Sequence, residues 1–186
     1  MIIDPEYQAQ LAQMHSRGQF VRGSKILEAV RPFIDQYLPA SIMDFGCGHG
    51  ALMASISQVY PNIRVEGYDP GNPKHNRMPK RSFDAVISAD VFEHIEPAYL
   101  ASTLQLIGNK IQVAGWFRIA CYPAKKHLPD GRNAHLIVES PDWWRQQLLT
   151  HMQVSIAKET ISVVDERHKW SHVVGHNYDV VLIKKP

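Results

Sequence analysis

Three glycines alternate with other residues in the segment SIMDFGCGHGAL at positions 41–52. An apolar run leads into Gly46, Gly48 and Gly50, and a helical pattern begins directly after them. Glycines at such a strand-to-helix turn let the backbone bend tightly and approach a ligand closely. The helix start adds unpaired N–H groups and a partial positive charge. Asp44, two residues before the first glycine, can accept hydrogen bonds from an ammonium group or orient the loop.

A second acidic residue, Asp69, ends the next predicted strand, which runs from Ile63 to Tyr68. An acid at the tip of the second strand of a parallel sheet is placed to hold both hydroxyls of a ribose. A glycine-rich turn alone is also found as a simple connection without a ligand. The combination predicts a nucleoside site: a strand, spaced glycines, a helix, a second strand and an acid at its end. NAD(P) is the weaker candidate, because its fingerprint usually spaces the glycines G-x-G-x-x-G.

Asp90, Glu93 and His94 follow the third predicted strand, at the sheet edge where ligands bind. If they form one helical turn, their side chains project to a common side. Three interpretations stay open. In the first, His94 is a general base. In the second, the three residues bind a divalent metal, with His135 of the long polar loop at 122–139 as a fourth ligand. In the third, the Glu-His pair only caps the turn.

The elements that must position these residues alternate along the chain. Helical spacing predicts helices at 5–17, 24–38, 51–59, 97–111 and 140–152. Apolar runs bounded by turn residues predict strands at 41–45, 63–68, 83–88, 116–121, 154–164 and 178–183. This order predicts a layered α/β domain with a mainly parallel sheet, closed by two strands that pair antiparallel because no helix separates them.

The motifs DFGCGHG (44–50), GYDP (67–70) and SFDAVISADVFEHI (82–95) resemble the class I S-adenosylmethionine-dependent methyltransferases. The resemblance implies a three-layer Rossmann-like fold and methyl transfer from S-adenosylmethionine to an acceptor. It implies that the cofactor contacts Asp44, Gly46, Cys47, Gly48, Gly50, Asp69, Pro70, Ala89 and Asp90, and that Asp90, His94 and His135 face the acceptor. The D-x-x-E-H spacing with a later histidine is similar to metal-dependent members, which methylate catechol-like hydroxyls or the 2′-hydroxyl at an RNA 3′ end. In those terms Asp90, Glu93, His94 and His135 are the metal ligands.

The chain departs from that family after the second strand. Only residues 70–82 separate Asp69 from the third strand, where the family has a helix and a further strand. A segment this short can cross back over a sheet but cannot form both elements and their turns. We therefore expect six strands, with one helix-strand unit missing. The residue that reads the adenine normally follows the missing strand, so Asn72 or Met78 of the short loop is the expected substitute.

The resemblance to this family also predicts that the chain consists of a lid segment and one domain. Residues 1–23 are expected to fold over the cofactor as a lid, with Tyr7, His15, Arg17 and Arg22, and residues 24–186 to form the methyltransferase domain. The composition, 45% hydrophobic and 20% charged over 186 residues, excludes a disordered chain. No apolar run approaches the ~18 residues of a membrane span. No signal-peptide pattern and only two cysteines predict a cytoplasmic protein.

A small-molecule hydroxyl or amine is the expected acceptor. Nucleic acid is an alternative, since the short loop and the loop at 122–139 both carry basic residues: Lys74, His75, Arg77, Lys80, Arg81, Lys125, Lys126 and Arg132. The net charge of +2 does not predict a broad basic patch. A non-catalytic cofactor-binding partner subunit is the other alternative, because a short chain leaves little structure to enclose an acceptor. The sequence does not predict an oligomeric state.

Overall fold

The computed structural model describes residues 3–16, 24–168 and 171–186. The helices are α1 (Pro5–Ser16), α2 (Ser24–Tyr37), α3 (Ala51–Val59), α4 (Pro97–Lys110) and α5 (Pro141–His151). The strands are β1 (Ser41–Phe45), β2 (Arg64–Tyr68), β3 (Phe83–Ala89), β4 (Ile111–Cys121), β5 (Val154–His168) and β6 (Ser171–Lys184). Residues 17–23 of the predicted lid segment, with Arg17 and Arg22, lie outside the described residues.

One mixed sheet of six strands, in the order β2-β1-β3-β4-β6-β5, runs through the described part of the chain. Strands β1 to β4 pair in parallel, and β6 pairs antiparallel with both β4 and β5. The predicted fold class is confirmed, including the six strands and the missing helix-strand unit. Strand β2 is consequently an edge strand, with residues 70–82 crossing from its end to β3 without regular structure.

Helices cover both faces of the sheet because the side chains of each buried strand alternate between two cores. Ile42 packs with α2 and α3, whereas its neighbour Met43 packs with α4 and α5. The same alternation separates Ile87 from Val86 in β3. These two cores hold β1 and β3 rigidly, so the loops that leave their carboxyl ends start from fixed positions.

Two strand boundaries differ from the prediction. Strand β4 begins at Ile111, directly after α4, five residues before the predicted start at residue 116. Gly115 pairs with Val86 inside the sheet. Strands β5 and β6 form one continuous hairpin rather than two short strands separated by a polar stretch. Residues 157–163 are all exposed there, including the apolar Ile161 and Val163, so this part of the ribbon lies outside the two cores.

Within the described ranges, no helix combines the length and the apolar character needed to cross a membrane.

Candidate active site

A cavity of about 410 Å³ lies at the carboxyl ends of the parallel strands. Its floor comes from the last residues of β1, β2 and β3, namely Phe45, Tyr68 and Ala89, and from Ala120 of β4. Helix α1 covers it through Tyr7, Leu11 and His15, and the segment 122–135 forms a further wall. Because β1 and β3 are neighbours whose chains continue in opposite directions across the sheet, this is the crevice at which open α/β sheets bind ligands.

The glycine turn has a backbone that only glycine adopts readily. Gly46, Gly48 and Gly50 have φ angles of 79°, 55° and 80°. At Gly46 a Cβ atom would also lie 2.2 Å from Cγ2 of Val91, so the segment after β3 packs directly against the turn. Gly46, Cys47 and Gly48 line the cavity, whereas Gly50 lies at the N-cap of α3 and outside the lining.

Asp44 is buried beside the turn and lines the cavity. Its Oδ2 atom accepts no hydrogen bond from any residue that the structure describes. Burial, together with the nearby charge of Asp69, raises the pKa of Asp44 to about 7. A buried carboxylate oxygen without a donor fits a cationic ligand group, because an ammonium would supply both the charge and the hydrogen bond.

Asp69, by contrast, is well supplied with donors. Its Oδ2 accepts a 2.9 Å hydrogen bond from the amide of Gly48, and its Oδ1 accepts one of 2.9 Å from the amide of Gly71. His15 Nε2 of α1 lies 3.3 Å from the same Oδ1. Burial acts to raise the pKa of Asp69, but these donors outweigh it and the pKa is lowered. Asp69 therefore ties the turn, the short loop and α1 to one carboxylate.

The two residues expected to read an adenine do not line the cavity. Asn72 donates from Nδ2 to the carbonyl of Gly48 at 2.7 Å and accepts from the amide of Lys74 at 3.0 Å, so its side chain braces the turn. Met78 packs against the core under α4 and α5. Pro70 does line the cavity, at the end of β2 beside α1.

At the other end of the crevice, β3 leads through Asp90, which has a φ of 55°, into a single 3₁₀ turn at Phe92–His94. Ligand atoms of Glu93, His94 and His135 all lie within 4.8 Å of one another. Asp90 lines the cavity but is not part of this three-residue cluster among the described residues. The predicted meeting of the Glu-His pair with His135 is thus seen in the structure, with Asp90 to one side.

Backbone carbonyls orient both imidazoles of the cluster. His94 Nδ1 lies 2.6 Å from the carbonyl oxygen of Ala134, and His135 Nδ1 contacts the carbonyl oxygen of Tyr122. Since a carbonyl only accepts, each Nδ1 carries the proton and each Nε2 carries the lone pair. Burial, reinforced by His135, lowers the pKa of His94 to about 4, and burial also lowers the pKa of His135. Both rings are uncharged at neutral pH.

Glu93 is fully buried beside them. Its Oε1 accepts a 3.2 Å hydrogen bond from the amide of Ala120 in β4, and its Oε2 has no donor among the described residues. Burial and the charge of Asp90 raise the pKa of Glu93 well above its usual value. A buried carboxyl with an unused oxygen, next to two imidazoles held through Nδ1, is a donor set that several divalent metals accept.

The long loop after β4 is less polar in the structure than its sequence suggests. Leu128 and Ala134 are buried in a small core that they share with Tyr7 and Met14 of α1. This core could not be predicted from the sequence, because its α1 residues and its loop residues are more than 110 positions apart. Lys125 and Lys126, two of the basic residues that suggested nucleic acid, line the cavity.

Leu11, His49 and Thr103 are among the cavity residues that were not predicted from the sequence. Thr103 is the one with a detectable signal, since it is a polar residue among the apolar positions of α4, and its Oγ1 has no hydrogen-bond partner in the described chain. Leu11 has ordinary surroundings in the sequence and reaches the cavity through the packing of α1, whereas His49 belongs to the glycine turn itself.

A family model described as a methyltransferase domain matches residues 20–168, most of the chain. The chain belongs to this methyltransferase family. None of the curated proteins matches it. Among solved structures, Burkholderia thailandensis 1,6-didemethyltoxoflavin-N1-methyltransferase, which holds 1,6-didemethyltoxoflavin and S-adenosylhomocysteine, is similar with a TM-score of 0.69 and 16% identity, over 97% of this chain and 90% of that one.

Magnesium protoporphyrin IX methyltransferase from Synechocystis PCC 6803, with bound S-adenosylhomocysteine, gives a TM-score of 0.61 at 14% identity, over 97% of both chains. At these identities the two structures establish the fold. With the family match, they confirm the methyltransferase family and the Rossmann-like fold that the resemblance predicted, and both of these solved relatives hold S-adenosylhomocysteine.

Proposed function

We propose that this methyltransferase moves a methyl group from S-adenosylmethionine to a hydroxyl or amine of a small molecule. One observation carries the proposal: a single cavity joins the Asp44–Asp69 end of the crevice to the His94–His135 end. When bound, S-adenosylmethionine supplies an electrophilic methyl group on a sulfonium. The protein then has to bind and align both partners, exclude water and, where necessary, accept a proton from the acceptor.

The residues of the glycine turn and of the β2 and β3 ends form the cofactor part of the proposal. Asp44 is assigned to the ammonium group of the cofactor, because its Oδ2 is buried and lacks a donor among the described residues. Asp69 is assigned to the ribose hydroxyls. The remaining assigned contacts are backbone or van der Waals contacts from Gly46, Cys47, Gly48, Gly50, Pro70, Ala89 and Asp90. All of these except Gly50 line the cavity.

His94 and His135 are assigned to the acceptor, with Asp90 beside the reacting methyl group. A proton acceptor must be uncharged, and the lowered pKa values of both imidazoles satisfy that. The low pKa of His94, however, limits which protons it can accept. Taking the proton of a phenolic hydroxyl with a pKa of about 10 to a base with a pKa of about 4 costs about 8 kcal/mol. His94 alone therefore suits an acceptor nitrogen that is already uncharged better than a hydroxyl.

The cluster of Glu93, His94 and His135 favours a second candidate, metal-assisted transfer to a hydroxyl. These three residues would hold a divalent metal, and Asp90 would complete the predicted set from a position outside the cluster. Such an ion would supply the positive charge that lowers the pKa of an acceptor hydroxyl. The chain's part is to present two Nε2 lone pairs and one carboxyl oxygen in fixed directions, through the carbonyls of Ala134 and Tyr122.

Metal binding is tested without activity by titrating the protein with Co²⁺ and following the visible absorption of the bound ion. The expected result is one ion per chain, with binding lost in His135→Gln and in Glu93→Gln. His127→Gln is the matched control, because His127 lies on the same loop but is exposed and outside the cluster. No binding by the wild type, or an equal loss in the control, overturns the metal-assisted candidate and leaves transfer to nitrogen.

Enclosure of the cavity supports a small acceptor over nucleic acid. Helix α1 covers the crevice, and about 410 Å³ is within the range of sites for single small molecules. The two similar structures are named for methylation of a toxoflavin precursor and of a magnesium porphyrin, both of them small molecules. Of the basic residues that suggested nucleic acid, Arg81 is already paired with Glu66, and Arg132 with Asp130.

Methyl transfer is tested with isotope-labelled S-adenosylmethionine against a small-molecule extract and, separately, against total RNA. Label in the small-molecule fraction, lost in Asp69→Asn, supports the proposal; label in RNA supports the nucleic-acid alternative. Cofactor binding without transfer to either fraction supports the non-catalytic subunit. A cytoplasmic setting is part of the proposal, supported by the two unpaired thiols Cys47 and Cys121.

A further inference from the structure

The missing helix-strand unit leaves the nucleoside end of the crevice without a wall from the sheet. Strand β2 is at the edge, and the residues that follow it, 70–82, have no regular structure. Asn72 braces the glycine turn and the half-buried Met78 packs against the core, and neither of them lines the cavity. A base attached to a sugar at Asp69 must therefore meet some other part of the chain.

Helix α1 occupies that place. Gln8 Nε2 donates to the carbonyl of Pro70 at 2.9 Å, directly after Asp69. A Cβ atom at Gly71 would lie 2.7 Å from Cδ2 of His15 and 2.8 Å from Cβ of Leu11, so the helix touches the backbone of the short loop. Leu11 and His15 also line the cavity. The contact is close enough that glycine is required at position 71 for the helix to pack as it does.

At its other end α1 is attached to the acceptor side. The hydroxyl of Tyr7 donates to the carbonyl of His94 at 2.7 Å, and the amide of Asp4 donates to Glu96 Oε2 at 3.0 Å. Tyr7 also shares a buried core with Leu128 of the long loop. The helix thus spans the crevice from the end of β3 to the end of β2, above the glycine turn.

The hydrogen bonds that Asp69 already accepts limit how many ribose hydroxyls it can bind. An ionised carboxylate offers about four acceptor positions. The amides of Gly48 and Gly71 and the imidazole of His15 use three of them. Two ribose hydroxyls cannot both be accepted at the one position that remains. The two amides belong to the backbone of the turn and the short loop, whereas the imidazole is a side chain on a separate helix, so His15 is the donor that can be exchanged.

We propose that α1 forms the nucleoside wall of the cofactor site, with Leu11 beside the base, and that His15 gives up its contact with Asp69 to the ribose hydroxyls. This inference rests on the proposed use of S-adenosylmethionine and adds residues that the family motifs do not contain. In this proposal α1 replaces the missing wall, and its His15 contacts Asp69 while no ribose is bound.

The experiment compares two ligands that differ only in the sugar hydroxyls, adenosine and 2′,3′-dideoxyadenosine, by calorimetry. Because His15→Ala removes the competing donor, it is expected to bind adenosine about 2- to 12-fold more tightly than the wild type. Its affinity for dideoxyadenosine is expected to stay unchanged. Leu11→Ala is expected to weaken both ligands equally. His127→Ala, an exposed histidine outside the cavity lining, is the control and should change neither.

Weaker adenosine binding by His15→Ala, or an equal change for both sugars, would overturn the exchange. Should His15→Ala not fold, the imidazole resonances of His15 in the wild type give the same answer by NMR. They are expected to shift further with adenosine than with dideoxyadenosine, and equal shifts with the two ligands overturn the exchange. Binding of S-adenosylhomocysteine to the wild type distinguishes failure of this inference from failure of the proposed function. If the wild type does not bind it, the proposed function is wrong. If it binds but the sugar-dependent effect is absent, only this inference is wrong.

Discussion

The side-chain amide of Asn133 is hydrogen-bonded to both backbone polar groups of Ala124. Its Oδ1 accepts from the amide of Ala124 at 2.9 Å, and its Nδ2 donates to the carbonyl of the same residue at 2.8 Å. The same Oδ1 also accepts from the amide of His135 at 2.9 Å. One side chain therefore closes the loop that carries Lys125 and Lys126 and fixes the backbone of His135.

Replacing Asn133 by alanine should loosen this loop. We expect the free energy of unfolding to fall by about 1–3 kcal/mol, because three hydrogen bonds of a half-buried group are lost. Asn133→Asp keeps the acceptor atom but places a charged oxygen against the carbonyl of Ala124, so it should also lower the free energy of unfolding. Denaturant unfolding measures both, with Asn76→Ala at an exposed position as the control. Equal stability of wild type and Asn133→Ala would contradict this role.

The sheet could be predicted from the sequence because its signals are local. Apolar runs such as 41–45 and 83–88 are short, bounded by turn residues and separated by helical patterns, and the structure places strands there. The length of segment 70–82 was sufficient to predict six strands. The β5–β6 hairpin was predicted too short, because the residues missed by the prediction, 165–168 and 171–177, are mostly polar and lack the apolar alternation of a half-buried strand.

For the site, only the residues at or near strand ends could be placed from the sequence. Asp44 lies near the end of β1, Asp69 directly follows β2, and the Glu93–His94 pair follows β3 closely, so parallel pairing brings them to one edge. The position of α1 depends on contacts over long sequence separations, such as Tyr7 with His94, and no local pattern encodes them. Asn72 was a reasonable candidate for the adenine contact by position, but an unpaired carbonyl of the glycine turn takes its amide instead.

Cofactor binding should depend on pH through Asp44. Its pKa of about 7 means that the carboxylate is partly protonated at neutral pH, while the lowered pKa of Asp69 keeps that group ionised. If the ammonium of S-adenosylhomocysteine requires ionised Asp44, affinity is highest above the pKa and falls as the pH falls through it. Between pH 7.5 and 5.5 we expect a loss of about 25-fold, measured by calorimetry.

Asp44→Asn is the matched variant for this measurement, since the amide has nearly the same shape and does not titrate. It should bind S-adenosylhomocysteine more weakly at pH 7.5 and lose most of the pH dependence. Any slope that remains in the variant belongs to other groups, such as the histidines near the cavity. A variant with the same slope as the wild type would show that Asp44 does not contact the ammonium.

Gly46→Ala should be strongly destabilising for two separable reasons. The φ of 79° costs an alanine about 1–2 kcal/mol, and its Cβ would lie 2.2 Å from Cγ2 of Val91. In a Val91→Ala background the clash is relieved while the backbone strain remains, so the second substitution should recover part of the lost stability. Thermal unfolding of the four proteins in this cycle measures both contributions. Full recovery would mean that the backbone angle costs nothing.

Tyr7→Phe should loosen the attachment of α1 at the acceptor side. The hydroxyl of Tyr7 donates a 2.7 Å hydrogen bond to the carbonyl of His94, and burial raises the pKa of Tyr7, so the group remains a neutral donor. Losing it should lower the free energy of unfolding by about 1 kcal/mol and speed hydrogen exchange of the α1 amides. Tyr60→Phe removes an exposed bond to Asp35 and should leave exchange in α1 unchanged. Unaltered exchange in Tyr7→Phe would show that the helix is held by its apolar contacts alone.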